Sequence, residues 1–310
     1  MAKLMRNTLL LAKIEASAGV DPVPTAGSNS ILCRVTNPQP VVAQFVERNN
    51  IKPYFGNKGK VQVSAYSEIE IEVEIAAAGA AGTAPKFGPL LRACAFSETI
   101  SAGVSVVYAP VSSSLESITI YFYLDGVLHK MTNCRGTVTF DLNARNIPVM
   151  KFKFTGIYST PTDTALPGGS DFSGFKTPFA VNKLNTPTLA LHGIAVALDT
   201  LTIAMNNDVK YRNLVNSEDV IMVDRNPSGS ASIEMTSVAT KGWHGVAQAG
   251  TLAALQVVHG SGAGNIVQFD APKVQINDPQ YNDQDGIAML NIGLQLQPNA
   301  GNDELIITVK

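Results

Sequence analysis

From position 68 to 74 every second residue is a glutamate: Glu68, Glu70, Glu72 and Glu74 alternate with Ile69, Ile71 and Val73, and Ile75 closes the run. Paired carboxylates can do general acid–base chemistry when unequal environments push their pKa values apart beside a shared cleft. On an extended strand these four instead line one face at ~6.5–7 Å intervals, and each adjacent pair repels by roughly 0.6 kcal/mol even in water. Burial would magnify that repulsion, and no Lys or Arg is interleaved on the same strand. The run therefore predicts a wetted acidic face above an apolar one. Glu68 and Glu70, adjacent and without a pocket, are poor acid–base partners. Two meanings stay open: a plain solvated sheet face, or an acidic wall facing something it must not hold.

The other chemically suggestive groups fail on spacing. Gly260, Gly262 and Gly264 have the glycine count of a phosphate loop, but no Gly-Lys-Ser/Thr follows and the next segment reads as a strand. Asp283, Asp285 and Gly286 suggest a calcium loop, yet its first and last ligand positions would be Tyr281 and Ile292. His129, His192, His244 and His259 never fall two or four residues apart, and no Gly-x-Ser-x-Gly elbow supports a triad. Cys33, Cys94 and Cys134 are odd in number, lack metal-ligand spacing, and read as core residues of a reducing compartment. No catalytic residue, metal site or cofactor is expected.

The elements that must position the acidic run are mostly strands. Apolar residues alternate with polar ones over 117–124, 137–142 and 149–154, and Asp125-Gly126 is a hairpin turn. Phe87, Leu90, Leu91 and Cys94 follow helical spacing, with Pro85 and Pro89 confining the start to 86–87 or making the first turn irregular. Residues 160–185 hold Pro161, Pro167, Pro178, three glycines and the aromatics Phe172, Phe175 and Phe179, the composition of a linker that is packed down. Beyond it the order returns: a strand at 230–235 ending near Glu234, a helix pattern in Trp243, Val246, Ala247 and Gly250, then strands at 254–258, 266–276 and 288–296. Residues 45–49 are echoed by 209–213. The expectation is a mainly β chain of two tandem domains, 1–159 and 186–310, each with a flanking α-helix.

Composition bounds the rest. A chain of 310 residues accommodates one large domain or two, and 45% apolar residues supply real cores. Only 15% of residues are charged, which suggests much of the surface is covered by partners. A net charge of -2 excludes whole-chain electrostatic binding of nucleic acid. The apolar run Leu9-Leu10-Leu11-Ala12 ends at Lys13, too short for a secretory segment, and nothing approaches membrane-spanning length. A soluble protein made in the cytoplasm, with no membrane partner, is expected.

The chain resembles the tail tube (major tail) proteins of long, non-contractile-tailed bacteriophages. The resemblance runs from Arg6-Asn7-Thr8-Leu9 and Asp21-Pro22-Val23-Pro24-Thr25 through Gly88-Pro89-Leu90-Leu91-Arg92-Ala93-Cys94 and Asp125-Gly126-Val127-Leu128-His129-Lys130 to Ala300-Gly301-Asn302-Asp303-Glu304-Leu305. It implies β-sandwich or barrel domains whose inner strands join neighbouring subunits around a channel, with rings stacked into a tube for DNA ejection. A duplicated chain would build such a ring as a homotrimer with pseudo-six-fold symmetry. Glu68, Glu70, Glu72, Glu74 and Glu234 would line the lumen and let DNA slide without specific binding. The segment 48–60 holds four cations, no acid and the adjacent Tyr54 and Phe55. The resemblance makes it an inter-ring loop, with Arg48, Lys52, Tyr54 and Phe55 as contacts and with Asp224 and Arg225 in the weaker matching role. Implied partners are other copies of the chain and the tape-measure, tail terminator and tail-tip proteins of a virion assembled in the bacterial host. The competing expectation is a capsid decoration or other shell protein.

Overall fold

The computed structural model describes residues 2–310. In chain order the elements are β1 (Thr8–Ile14), α1 (Ala26–Asn29), β2 (Arg34–Glu47), β3 (Lys60–Glu74), α2 (Gly88–Arg92), β4 (Thr99–Ser101), β5 (Ser105–Tyr108), β6 (Ile118–Leu124), β7 (Val127–Asn143), β8 (Val149–Tyr158) and β9 (Thr162–Asp163). They continue with β10 (Thr188–Leu191), β11 (Ile194–Ala195), β12 (Leu198–Ala204), β13 (Asn207–Leu214), β14 (Ser217–Arg225), β15 (Ser228–Glu234), α3 (Trp243–Gln248), β16 (Leu252–His259), β17 (Val267–Gln284), β18 (Ile287–Gln297) and β19 (Ile306–Val309). The chain is mainly β, as the alternating patterns require, and every strand pairing is antiparallel.

Two turns show how local sequence sets the ladders. Asp125 and Gly126 both have positive φ, as do Asp285 and Gly286, so each Asp-Gly pair makes the two-residue turn that matches strand twist. The second of these is the segment that suggested a calcium loop; it closes the β17–β18 hairpin, with Asp283 accepting from the Gly286 amide.

The pairings give one strand order twice. In the first half β1 pairs β6, β6 pairs β7, β7 pairs β8, β8 pairs β3 and β3 pairs β2. In the second, β10, β16, β17, β18, β15 and β12 follow in the same succession. Registers recur as well. Ile118↔Cys134 and Ile120↔Met131 flank a bulge between β6 and β7, and Ala253↔Val274 and Leu255↔Ala271 flank one between β16 and β17. At these bulges β7 and β17 exchange the outer neighbour for the inner one, which is how a strand turns a corner between two packed layers.

The halves meet edge to edge. β12 pairs β7, with Leu201↔Leu142 and Ile203↔Phe140 buried on one face and Thr202↔Asp141 on the other. The order β2-β3-β8-β7-β12-β15-β18-β17 is therefore one continuous run of eight strands. Beneath it lies a single apolar cluster that includes Ile69, Ile71, Val73 and Ile75 with Phe87, Leu90 and Leu91, and extends to Trp243 and Phe269. Gly229 is the close-approach point: a side chain there would meet the Thr202 carbonyl oxygen at 2.3 Å.

Residues 160–185 are largely irregular but anchored, with Phe172 and Phe175 against the apolar clusters and Val181 buried. Phe140, fully buried at the seam, stacks edge-on against Phe269 at 5.3 Å. Phe140→Ala leaves a cavity shared by both halves and should cost about 3–5 kcal/mol. A denaturant titration of the purified chain should show the lowered midpoint.

Candidate functional site

Directly paired residues of antiparallel strands project to the same side, so the ladders assign one face of the eight-strand run residue by residue. Its polar side carries Arg34 on β2, Glu68, Glu70, Glu72 and Glu74 on β3, Lys151 and Lys153 on β8, and Thr137, Thr139 and Asp141 on β7. It continues with Thr200 and Thr202 on β12, Ser230, Ser232 and Glu234 on β15, and Asn291 and Gln295 on β18. The opposite side is the apolar core.

The four glutamates thus share one face, as their spacing requires, and Glu234 stands exposed at the end of β15 as Glu74 does at the end of β3. They do not stand alone. Lys153 Nζ lies 3.2 Å from Glu68, Arg34 lies 2.8 Å from Glu72, and Lys151 lies 2.6 Å from Asp141. Neighbouring strands supply the counter-charges that β3 itself lacks. Each such pair is partly exposed, with Arg34 70% accessible, and contributes at most about 1 kcal/mol. What they change is the field. The first half of the face is a charged mosaic with acid in excess, and the second half is mostly hydroxyl and amide, with Glu234 and, on β17, Lys273 as its charges.

The expected contact residues divide into two groups. Arg48, Lys52, Tyr54 and Phe55 occupy the connection between β2 and β3 and are exposed; Phe55 is fully so, and the Lys52 ammonium lies 5.8 Å from the centre of the Tyr54 ring. Asp224 and Arg225 lie at the foot of the β13–β14 hairpin, while its tip is the exposed Val215. Arg225 is engaged inside the chain: its guanidinium donates to Glu304 at 3.1 and 3.3 Å, to the Val111 carbonyl at 3.0 Å and to Asn302. Asp224 stays exposed and accepts from the Arg225 amide.

Sequence reasoning missed the base of that hairpin. Asn207 donates through Nδ2 to the Cys94 and Gly136 carbonyls at 2.9 and 3.0 Å, and its amide donates to Thr137 Oγ1 at 3.0 Å. Arg135 donates to the Val220 carbonyl, and Asn133 to Asp219. The Tyr66 and Tyr211 rings lie 5.0 Å apart. These contacts hold β13–β14 against β7 and β8. A positive φ at Asn133 marks the bulge that makes the seat, but no motif in the sequence does.

Of the remaining groups, Cys94 and Cys134 are fully buried free thiols, and burial pushes both well up from the ordinary value. His192 and His259 are buried, which lowers both below the usual histidine value; His192 Nε2 meets the Val274 carbonyl and His259 bridges Thr186 and the Phe179 carbonyl. No helix among the described residues is long and apolar enough to cross a membrane.

Arg225 and Glu304 are each about one-tenth exposed, so removing the cation leaves a buried carboxylate without its partner. Arg225→Ala should cost about 3 kcal/mol or more, whereas Arg34→Ala should stay within about 1 kcal/mol. Parallel urea titrations of the two variants give the comparison.

A family model described as phage tail tube protein matches residues 5–294. No curated protein matches the chain.

Proposed function

The chain belongs to the phage tail tube family, and from that premise we propose that three copies close into a ring, that rings stack into the tube, and that DNA leaves through it. The protein is a structural component of the phage tail; the ring, its copy number and its role as a conduit are our reading.

The observation that carries this reading is the β7–β12 seam. It joins two sheets of the same strand order edge to edge, and the same two kinds of edge stand open at the ends of the eight-strand run. At one end β2, the counterpart of β12, pairs among the described residues only with β3. At the other, residues 276–284 of β17, the counterpart of the β7 segment at the seam, pair among the described residues only with β18. Edges of opposite kind on one chain make a head-to-tail contact, which closes into a ring when the rotation allows. We read residues 1–159 and 186–310 as duplicated domains, each one sixth of the ring, with 160–185 as the strap between them. Pro38 and Pro40 remove two N–H groups from β2, which guards that edge against arbitrary partners.

The polar face then becomes the lumen, with Glu68, Glu70, Glu72, Glu74 and Glu234 along it. Phosphate backbones are held by cations that release counterions, and a cation already neutralised by a carboxylate has little to offer. Arg34, Lys151 and Lys153 each have a carboxylate within 3.2 Å. The wall repels where Glu70, Glu74 and Glu234 make no ion pair among the described residues, and its cations other than Lys273 are already paired, so DNA slides. Arg48, Lys52, Tyr54 and Phe55 reach the adjacent ring, and Asp224 has the lesser matching role. Tape-measure, terminator and tail-tip proteins would cap and fill a non-contractile tube assembled in the bacterial cytoplasm.

Three-dimensional reconstruction of purified tubes should find three chains per ring, and six would end the reading of the duplication. Replacing Glu70 and Glu74 together by Lys should leave tubes intact and slow genome ejection severalfold in a DNA-release assay. Ejection at the wild-type rate from such tubes removes the repulsive role of the wall.

A further inference from the structure

The two halves differ most in what becomes of one hairpin. β13–β14 follows β12 and precedes β15, as the outer part of β2–β3 follows and precedes its own inner strands. The ladders agree position by position. Ala43↔Ala65, Gln44↔Ser64, Phe45↔Gln62, Val46↔Val61 and Glu47↔Lys60 answer to Asn207↔Arg225, Asp208↔Asp224, Val209↔Met222, Lys210↔Ile221 and Tyr211↔Val220. Each ladder slips at the same step, between Gln44 and Phe45 and between Asp208 and Val209. The two hairpins are equivalent in structure, yet β13–β14 is held on β7 and β8 and buries Val220 completely. Among the described residues the stem of β2–β3 has no such seat. Phe45, on the side that answers to Val220, is more than half exposed, as are Val46 and Val61 on the opposite side and Val63 at the slip, an apolar area that an isolated two-stranded ribbon cannot leave in water at no cost.

We propose that the β2–β3 stem seats on the β17–β18 surface of the next copy of the chain, in the way β13–β14 seats on β7–β8 of its own. The proposal rests on the ring reading and names the second contact of its joint. The receiving surface follows from register. Arg135↔Thr155 and Thr137↔Lys153 correspond to Gln275↔Gln295 and Asn277↔Gly293. Where Arg135 donates to the Val220 carbonyl, the amide of Gln275 faces the Lys60 carbonyl of the neighbour. Where Thr137 receives Asn207, Asn277 receives Ala43. In place of the Tyr66–Tyr211 stack, Asn226 meets Glu47. The occupant has to be a second copy, because β2 and β17 lie at opposite ends of the eight-strand run, about 34 Å apart along the sheet at ordinary strand spacing. Each chain thus carries one free arm and one free seat, the complement that a closed ring consumes without remainder.

Engineered disulfides test this. The variant carrying Ala43→Cys and Asn277→Cys, assembled into tubes and oxidised, should run on non-reducing gels as a covalent three-chain species, with each single substitution remaining monomeric. Thr137→Cys with Asn207→Cys is the reference, expected to close within one chain. If the first pair impairs folding, Glu47→Cys with Asn226→Cys reads the same contact from exposed positions. Tubes that form normally, with the reference disulfide closed and neither intermolecular pair cross-linked, overturn the seat and leave the ring standing. Failure of the wild-type chain to form rings at all removes both.

Discussion

The backbone pairing of β12 with β7 governs this molecule. A strand edge is a row of unsatisfied donors and acceptors, and a sheet with two open edges is unstable as a monomer's surface. Here one pair of edges is consumed inside the chain, with Leu201 against Leu142 and Ile203 against Phe140 beneath and the Thr202 hydroxyl donating to Asp141 above. Arg145 reaches Asp199 across the same seam, and the Ala144 amide donates to the Asp199 carbonyl. The seam makes one core of two halves and one polar face of two sheets, so the position of every charged group on that face depends on it.

The charged mosaic follows from that geometry. Arg34 belongs to β2 and Lys151 and Lys153 to β8, far apart in sequence, and only the order β2-β3-β8-β7 brings them beside the glutamates and Asp141. The arrangement eases the repulsion among four carboxylates on one strand, because Arg34 sits against Glu72 and Lys153 against Glu68, while Lys151 meets Asp141 beside them. In the second half the counterpart strands carry mostly Ser, Thr, Asn and Gln, with Glu234 and Lys273 as the charges there.

Features with a local period were legible in the sequence. Alternation at 68–75 gave both faces of β3, helical spacing gave α2 and α3 to within a residue or two, and Asp125-Gly126 gave its turn. β1 was not legible, because Leu9 and Leu11 pack into one cluster and Leu10 and Ala12 into another, which erases the alternation. Of β7 only 137–142 was legible as a strand, because its bulge at Asn133 breaks the period while the strand continues. The burial of Arg225 depends on Glu304, 79 positions away, and nothing near either residue announces the pair. The cations of the polar face were visible as side chains and invisible as neighbours.

In the three-chain ring proposed above, carrying both sheets on one chain would also change how the wall can evolve. In a ring of six identical units any substitution appears six times, so the smallest step in wall charge is six. In a ring of three it is three, and the two sectors can move independently, one toward a balanced mosaic and the other toward neutrality. On that reading, the contrast between Glu72 and its counterpart Ser232, or between Lys151 and Asn291, would record steps that a single-sector chain could not have taken separately.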